Sequence, residues 1–246
     1  MAVMKTLSRC LFLAFVGAAL TGSLRAETAA WMSDYNRLLG KYATPNGVKY
    51  AEWKNNAGDL QTLQKVVDGI ATGNVSSLGK KEQLAFYVNA YNAWILHEAL
   101  GKYPTKSIKD ALFTFFTSKR IKVAGDQTSF KALEDNVIRK LGDPRIHFAL
   151  NCASRSCPPL NQEAYQGDKL DAQFEKITKA FVNSDRGVRF AAGGKSAELS
   201  KIFDWYKDDF KDGGTLDFIN KRRSTPLPND VKISYQDYDW ALNEAK

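Results

Sequence analysis

The sequence predicts an α+β fold in a single domain, with one buried central helix packed against a small, mainly antiparallel sheet. Helical segments and short hairpins follow one another as separate groups, which is typical of this fold class. The segment Lys80–Leu100 has the length of a helix but no clear polar face, which indicates a helix buried on all sides. No repeat or low-complexity linker divides the chain of 246 residues.

The first 26 residues have the order of a secretory signal peptide. Lys5 and Arg9 come first, the apolar run Cys10–Leu20 follows, and small residues come last. The apolar run is too short for a comfortable transmembrane helix. We therefore expect cleavage near Glu27, a periplasmic or secreted mature domain over residues 27–246, and no integral membrane segment after processing.

The charge pattern excludes some partners. The net charge is +8, and loss of the first 26 residues would lower it to +5, because they hold three basic residues and no acid. The basic clusters Lys119–Arg120 and Lys221–Arg223 lack the interleaved aromatic residues of a nucleic-acid surface. Motifs for phosphate loops or zinc proteases are missing. We therefore expect no nucleic acid and no cofactor, and an unknown small molecule, peptide or protein as partner.

Local periodicity predicts the order of the secondary structure. Apolar residues at helical spacing predict helices over Thr28–Leu39, Asn56–Ile70, Lys80–Leu100, Leu133–Leu141, Leu170–Asn183, Asp204–Phe210 and Leu216–Asn220. Alternating residues around glycine-containing turns predict hairpins over Arg120–Phe130 and Val188–Ile202, and a closing strand over Val231–Tyr235.

Three polar residues interrupt the buried helix: Asn89, Asn92 and His97. A buried polar group that lacks a hydrogen-bond partner costs roughly 1–3 kcal/mol, so each of them needs partners. They could tie the helix to neighbouring loops, or they could line a functional site. The sequence leaves both interpretations open.

The stretch Arg145–Leu160 concentrates the reactive side chains. It contains Cys152 and Cys157, which are the two cysteines outside the first 26 residues, and His147, one of two histidines in the chain. Alternating apolar residues over Ile146–Leu150 predict a strand, and the serines and prolines that follow predict a loop around Cys157. Because functional groups are often placed where a strand meets a loop, we expect a site here.

Five segments together resemble a known family. They are Phe86–Asn92, Asp143–Cys152, Ser156–Leu160, Ser200–Phe210 and Ile233–Trp240. In this order they are similar to the family called domain of unknown function 547, which is found in exported bacterial proteins and in plants. The resemblance implies that residues 27–246 form one domain of this family, and it assigns no activity.

The two cysteines favour a disulfide, with two alternatives. A bond between Cys152 and Cys157 suits an oxidising compartment and their close spacing, and it would fit a non-catalytic or vestigial binding module. A zinc site could instead use both sulfurs with His147, and His97 as a fourth ligand, although the spacing is not a recognised zinc signature.

A cysteine-dependent hydrolase or acyl transferase is the other alternative. It would need a thiol, an imidazole to accept the proton and a group that orients the imidazole. These types are supplied by Cys152 or Cys157, by His147 or His97, and by Asn89, Asn92 or Asn151. A buried helix beside a histidine-bearing strand is similar to papain-like and transglutaminase-like proteins. Those proteins place the nucleophile at the start of the central helix, whereas this helix contains no cysteine.

The candidate site therefore comprises Asn89, Asn92, His147, Cys152 and Cys157 near one pocket. We expect the asparagine side of the central helix to face the segment that carries His147. The acidic pair Asp208–Asp209 is interpreted as a solvated helix face.

Overall fold

The computed structural model describes residues 31–108, 112–191 and 193–245. The predicted signal segment over residues 1–26 lies outside these ranges. Within them helices and short strands are mixed, as the α+β prediction requires. Within these ranges, no helix is both long enough and apolar enough to cross a membrane.

The N-terminal half is helical and surrounds one long helix. After α1 (residues 31–42), the elements are β1 (Ala43–Thr44), β2 (Gly47–Val48), α2 (Tyr50–Lys54), α3 (Ala57–Thr72) and α4 (Lys80–Lys102). Side chains on every side of α4 are buried between Leu84 and Leu100, and the helix packs against α2 and α3. The predicted buried central helix is confirmed.

A run of short elements leads from α4 to the stretch with the cysteines. They are α5 (Leu112–Thr117), β3 (Ile121–Val123), β4 (Asp126–Thr128) and α6 (Phe130–Leu133), then a π-helical turn (Glu134–Ile138), a 3-10 turn (Arg139–Leu141) and α7 (Ile146–Ala149). Gly142, with a positive φ of 78°, ends the 3-10 turn in the left-handed conformation that glycine adopts most readily. The predicted helix over Leu133–Leu141 is thus present, but most of it is not α-helical.

The C-terminal part adds a small sheet and further helices. Its elements are α8 (Leu170–Val182), β5 (Val188–Arg189), β6 (Ser196–Leu199), α9 (Ile202–Trp205), a 3-10 turn (Lys207–Asp209), α10 (Gly214–Asn220) and β7 (Lys232–Tyr235). The strand pairs β1–β2, β3–β4 and β5–β6 are antiparallel, which confirms both predicted hairpins. The closing strand β7 instead pairs with β6 in parallel.

The predicted strand over Ile146–Leu150 is wrong, because this segment is the helical turn α7. Two apolar clusters explain the error. The N-terminal core, built around α4, contains Ile146 and Ala149, whereas the C-terminal core, built from α8 to α10 and the sheet, contains Phe148. The turn α7 is buried from both sides, so apolar residues are required at several of its positions whether it is a strand or a helix. An apolar residue at every second position over only five residues therefore did not distinguish a strand from a helical turn.

Candidate functional site

A cavity of about 370 Å³ lies against α7 and the loop that follows it. Six aromatic side chains line it: Tyr91, Phe116, Trp205, Tyr206, Tyr238 and Trp240. Its charged and imidazole lining comes from His147, from α6 and from the two turns that follow α6, and both cysteines form part of its wall. The cavity therefore brings together three of the five predicted site residues.

His147 is almost fully buried in the wall of the cavity, with 1% of its side chain exposed. Its Nε2 lies 2.7 Å from Oδ2 of Asp209, and its ring stacks on Tyr206 with the ring centroids 3.8 Å apart. Arg139 holds the same carboxylate through Nε and Nη2, at 2.8 and 2.9 Å. The imidazole is thus fixed in position by Asp209, which is fixed in turn by Arg139.

Burial lowers the pKa of His147 to about 4, so the imidazole is neutral near pH 7. Asp209 opposes this shift, but Arg139 already compensates the charge of that carboxylate and reduces what a protonated ring would gain. The ionised carboxylate can only accept, so Nε2 carries the hydrogen and donates it. The other nitrogen, Nδ1, is then an acceptor, and it has no hydrogen-bond partner.

Cys152 and Cys157 form a disulfide, which confirms the predicted pairing, and their Cα atoms are 6.2 Å apart. The hydroxyl of Tyr238 lies 3.3 Å from each sulfur. Asn151 shapes the loop: its Nδ2 donates to the carbonyl of Pro158 at 2.8 Å, and its Oδ1 accepts from the amide of Ala153 at 2.9 Å. These side-chain bonds fix the turn that carries the disulfide.

Glu134 is the least compensated acid of the cavity. Burial raises the pKa of its carboxyl, the neighbouring Asp135 raises it further, and a hydrogen bond with Tyr206 opposes the shift. Among the described residues no lysine, arginine or histidine forms an ion pair with Glu134. The nearby cations are held elsewhere, since Lys131 pairs with Asp135 and Arg139 pairs with Asp135 at 2.9 Å. Glu134 begins the π-helical turn, a distortion often found at functional sites.

The predicted residues Asn89 and Asn92 are not among the residues that line the cavity. The Asn92 side chain donates to the carbonyl of Ala149 at 2.9 Å and accepts from the amide of Asn151 at 2.8 Å. Asn89 does the same with the carbonyl and amide of Tyr165, at 2.8 and 2.9 Å. Asn92 thus faces the segment that carries His147, but both asparagines hold backbone and neither touches the cavity.

His97 lies apart from this cavity. Its Nε2 is 2.9 Å from Oε1 of Gln64, and its ring packs edge-to-face against Trp94. Because both sulfurs are joined in the disulfide, the alternative zinc ligand set of His147, two cysteines and His97 is not assembled. Across the described ranges, no group of three or more histidine, cysteine or acidic side chains is placed to hold a metal ion.

Sequence reasoning missed the residues that complete the site. Asp209 was expected on a solvated face, and this is wrong, because its carboxylate binds His147 and Arg139. Glu134, Tyr206 and Tyr238 were not predicted at all. Their partners lie tens of residues away in sequence, and the family-like segments that contain Tyr206 and Tyr238 assign them no role. The scarcity of histidine and cysteine pointed only to the stretch that contains His147.

Comparison with known proteins finds one family model that matches part of the chain. Residues 75–182 match the model of the family described as protein of unknown function, DUF547. The matched segment includes α4, Glu134, His147 and both cysteines, and it ends before Tyr206, Asp209 and Tyr238. No curated protein and no solved structure matches the chain.

Proposed function

We propose that this chain, which contains a domain of the DUF547 family over residues 75–182, is a non-catalytic binding module for a small organic ligand. The observation that carries this proposal is the cavity of about 370 Å³, whose wall includes the closed disulfide. Ligand pockets are commonly about 300–1,000 Å³ in volume and mostly apolar, with a few placed polar groups. With Cys152 and Cys157 paired, neither sulfur is a nucleophile.

The aromatic wall supports a binding role. Trp205, Tyr238 and Trp240 pack on one another, with ring centroids 4.5 to 5.9 Å apart. Trp205 is 45% exposed, although large apolar side chains are usually covered. An exposed aromatic group at a concave site offers a flat surface on which a ligand ring can stack.

Ligand-observed NMR with neutral one-ring and two-ring aromatic fragments tests this function. We expect fragments to bind the oxidised protein, and we expect Trp205→Ala to weaken binding by about tenfold, since it removes stacking surface. Trp94→Ala is the matched control, because Trp94 is also partly exposed but does not line the cavity. Absence of fragment binding, or binding that Trp205→Ala leaves unchanged, would contradict the proposal.

A cysteine-dependent hydrolase or acyl transferase is the second candidate, and one observation favours it. His147 has Asp209 on Nε2 and an unpartnered Nδ1, in the same cavity as both sulfurs. A base oriented by a third group is the arrangement that activates a nucleophile. The candidate requires reduction of the disulfide, and it would include a papain-like ancestry in which the thiol comes from the loop instead of α4.

Thiol labelling separates the two candidates. For a binding module, iodoacetamide should modify Cys152 and Cys157 only after a reductant is added, as mass spectrometry would show. Rapid labelling of one cysteine without reductant, slowed by His147→Ala, would make the hydrolase the leading candidate, because it would reveal a free thiol activated by the imidazole.

Export of the chain is part of the same proposal. The basic, apolar and small residues over 1–26 support it, and the disulfide fits an oxidising compartment. Mass spectrometry of the mature protein should find an N-terminus at or near Glu27. An intact Met1 in the mature pool would contradict the signal peptide.

A further inference from the structure

We propose that the cavity recognises its ligand through an alkylammonium group, which the Glu134 carboxylate and Nδ1 of His147 accept while aromatic rings cover its carbon chain. The inference rests on the proposed binding function and names the ligand class. It follows from the unmatched acceptors of the cavity, from the pairing of its cations, and from its aromatic wall.

Glu134 supplies the unmatched negative charge. Tyr206 hydrogen-bonds its carboxylate, but no cation of the described residues pairs with it, although it lies in a largely buried position. A buried carboxylate without a cationic partner is driven toward its protonated form. A ligand cation would provide the missing partner and would favour the ionised acid.

The positive groups of the cavity are already paired, which disfavours an anionic ligand. Lys131 pairs with Asp135, and Arg139 pairs with Asp135 and, through two nitrogens, with Asp209. Of the four charged groups that line the cavity, Lys131, Asp135 and Arg139 are engaged in these pairs, so Glu134 is the one without an ionic partner among the described residues. An anion would have to break one of these pairs before it gained a partner.

Nδ1 of His147 is a second, independent sign of a ligand that donates hydrogen bonds. The side chain is 1% exposed and lines the cavity, and its Nδ1 has no partner. Because Asp209 fixes the hydrogen on Nε2, Nδ1 can only accept. An ammonium group has three N–H donors and no acceptor, so it satisfies both the imidazole and a carboxylate.

The aromatic wall favours the same class. A cation over the face of tryptophan or tyrosine is attracted by the ring quadrupole, and the attraction grows when the site is shielded from water. Trp205 and Trp240 stack with centroids 5.9 Å apart and line the same cavity as Glu134. A neutral aromatic ligand would use these rings but would leave the carboxylate unmatched.

Three ligands that share a ring and differ in charge test the proposal at pH 7.5. Isothermal titration of the oxidised protein should give the order benzylammonium, then benzyl alcohol, then benzoate, from the tightest binding to the weakest. Glu134→Gln should weaken benzylammonium binding by roughly tenfold or more, since a neutral amide oxygen replaces the charged carboxylate as acceptor, and should change benzyl alcohol binding little. Glu52→Gln, a substitution of an exposed acid outside the cavity, should change neither.

A second variant tests whether removal of a positive charge from the cavity favours a cationic ligand. Lys131→Gln removes a rim cation and leaves Asp135 paired with Arg139 alone, so benzylammonium should bind more tightly to this variant than to the original protein. The alkylammonium group could belong to a small free amine or to a lysine side chain of a protein. Binding of butylammonium and of a short peptide with an internal lysine distinguishes these two sources. Each of these two amines is compared with the same molecule after its amine has been converted to a neutral amide. Tighter binding of the charged form of either molecule, with the difference abolished by Glu134→Gln, supports the proposal.

The failure of this inference is distinguishable from failure of the binding function. If benzyl alcohol binds as tightly as benzylammonium, and Glu134→Gln affects neither, the cavity remains a ligand site but the ammonium preference is overturned. Tighter binding of benzoate than of benzylammonium would overturn it as well. If no ammonium ligand binds, the proposal is likewise overturned, and the neutral fragments decide the wider function.

Discussion

The two polar regions on either side of α7 differ in how completely they are paired. On the side of α4, the amide of Asn92 donates to Ala149 and accepts from Asn151, so both of its polar atoms have partners. On the cavity side, His147 is held by Asp209 through one nitrogen and leaves the other unpaired. Burial of polar groups alone therefore does not distinguish the two regions. Incomplete pairing beside a cavity distinguishes them.

The same contrast separates two kinds of stabilisation. Asn89 and Asn92 act as clamps, because their side chains bind backbone groups that have no partner in regular secondary structure. Their removal should therefore destabilise the fold before it changes the cavity. His147, Glu134 and the aromatic wall are held in place by other residues, so their removal should affect the cavity first. The following predictions test this division, from the largest expected effect to the smallest.

Asn92→Ala should lower the free energy of unfolding by about 2–5 kcal/mol. It leaves the carbonyl of Ala149 and the amide of Asn151 without partners in a buried position, and each unpaired group costs roughly 1–3 kcal/mol. Urea denaturation measures the change, with the exposed Asn136→Ala as control. A loss below 1 kcal/mol would show that Asn92 is not a clamp and would remove the contrast with His147.

Acidification should destabilise the protein through His147. Its folded pKa is about 4, below the usual value near 6.5. Unfolded chains bind the proton first, so stability is full above pH 6.5 and falls as the pH drops toward 4, by up to about 3 kcal/mol. Urea denaturation between pH 7.5 and 4.5 measures the slope, which His147→Gln should reduce.

The matched control for this slope is His97→Gln. It removes the other histidine of the chain and leaves the network of His147, Asp209 and Arg139 intact. A slope that survives His147→Gln but disappears in His97→Gln would reverse the roles that we assign to the two histidines.

Loss of the disulfide should cost roughly 2 kcal/mol. Cys152 and Cys157 close a short loop, and the entropy that such a cross-link removes from the unfolded chain is correspondingly small. The free energy of unfolding of the double variant Cys152→Ala/Cys157→Ala measures the effect, and reduction of the original protein should reproduce it. A double variant that unfolds at the original urea concentration would show that Asn151 alone holds the loop.

Lys131→Gln should change the free energy of unfolding by less than about 0.5 kcal/mol. Its side chain is 65% exposed, and the pair with Asp135 is a surface i,i+4 contact that solvent screens. A larger loss in the same urea assay would show that rim charges hold the fold, and the effect of this variant on ligand binding could then no longer be interpreted separately.

Much of the fold was predictable because its signals are local. The lack of a polar face on α4 identified the central helix, and glycine-containing turns between alternating residues located both hairpins. The spacing of Cys152 and Cys157 predicted the disulfide. The parallel pairing of β7 with β6 was not predictable from the same patterns, since a strand pattern does not state the direction of its partner.

The candidate site was predictable only in part. The sequence singled out the stretch with His147 and the cysteines because histidine and cysteine are rare in this chain, and these three residues do line one cavity. The partners of that stretch come from the turn after α6, from the segment after α9 and from the C-terminal segment. Asp209 looked like any exposed acid, since nothing near it in sequence shows that Arg139 and His147 face it.

The sequence by itself determined which residues are apolar on one face, where the chain turns, and where its scarce reactive groups lie. These properties depend on residues a few positions apart. The tertiary structure alone decided that Ile146–Ala149 is helical, because two cores compress this turn from opposite sides. It also decided that one nitrogen of His147 is paired and the other is not, because the positions of Asp209 and the cavity depend on chain segments that meet only after folding.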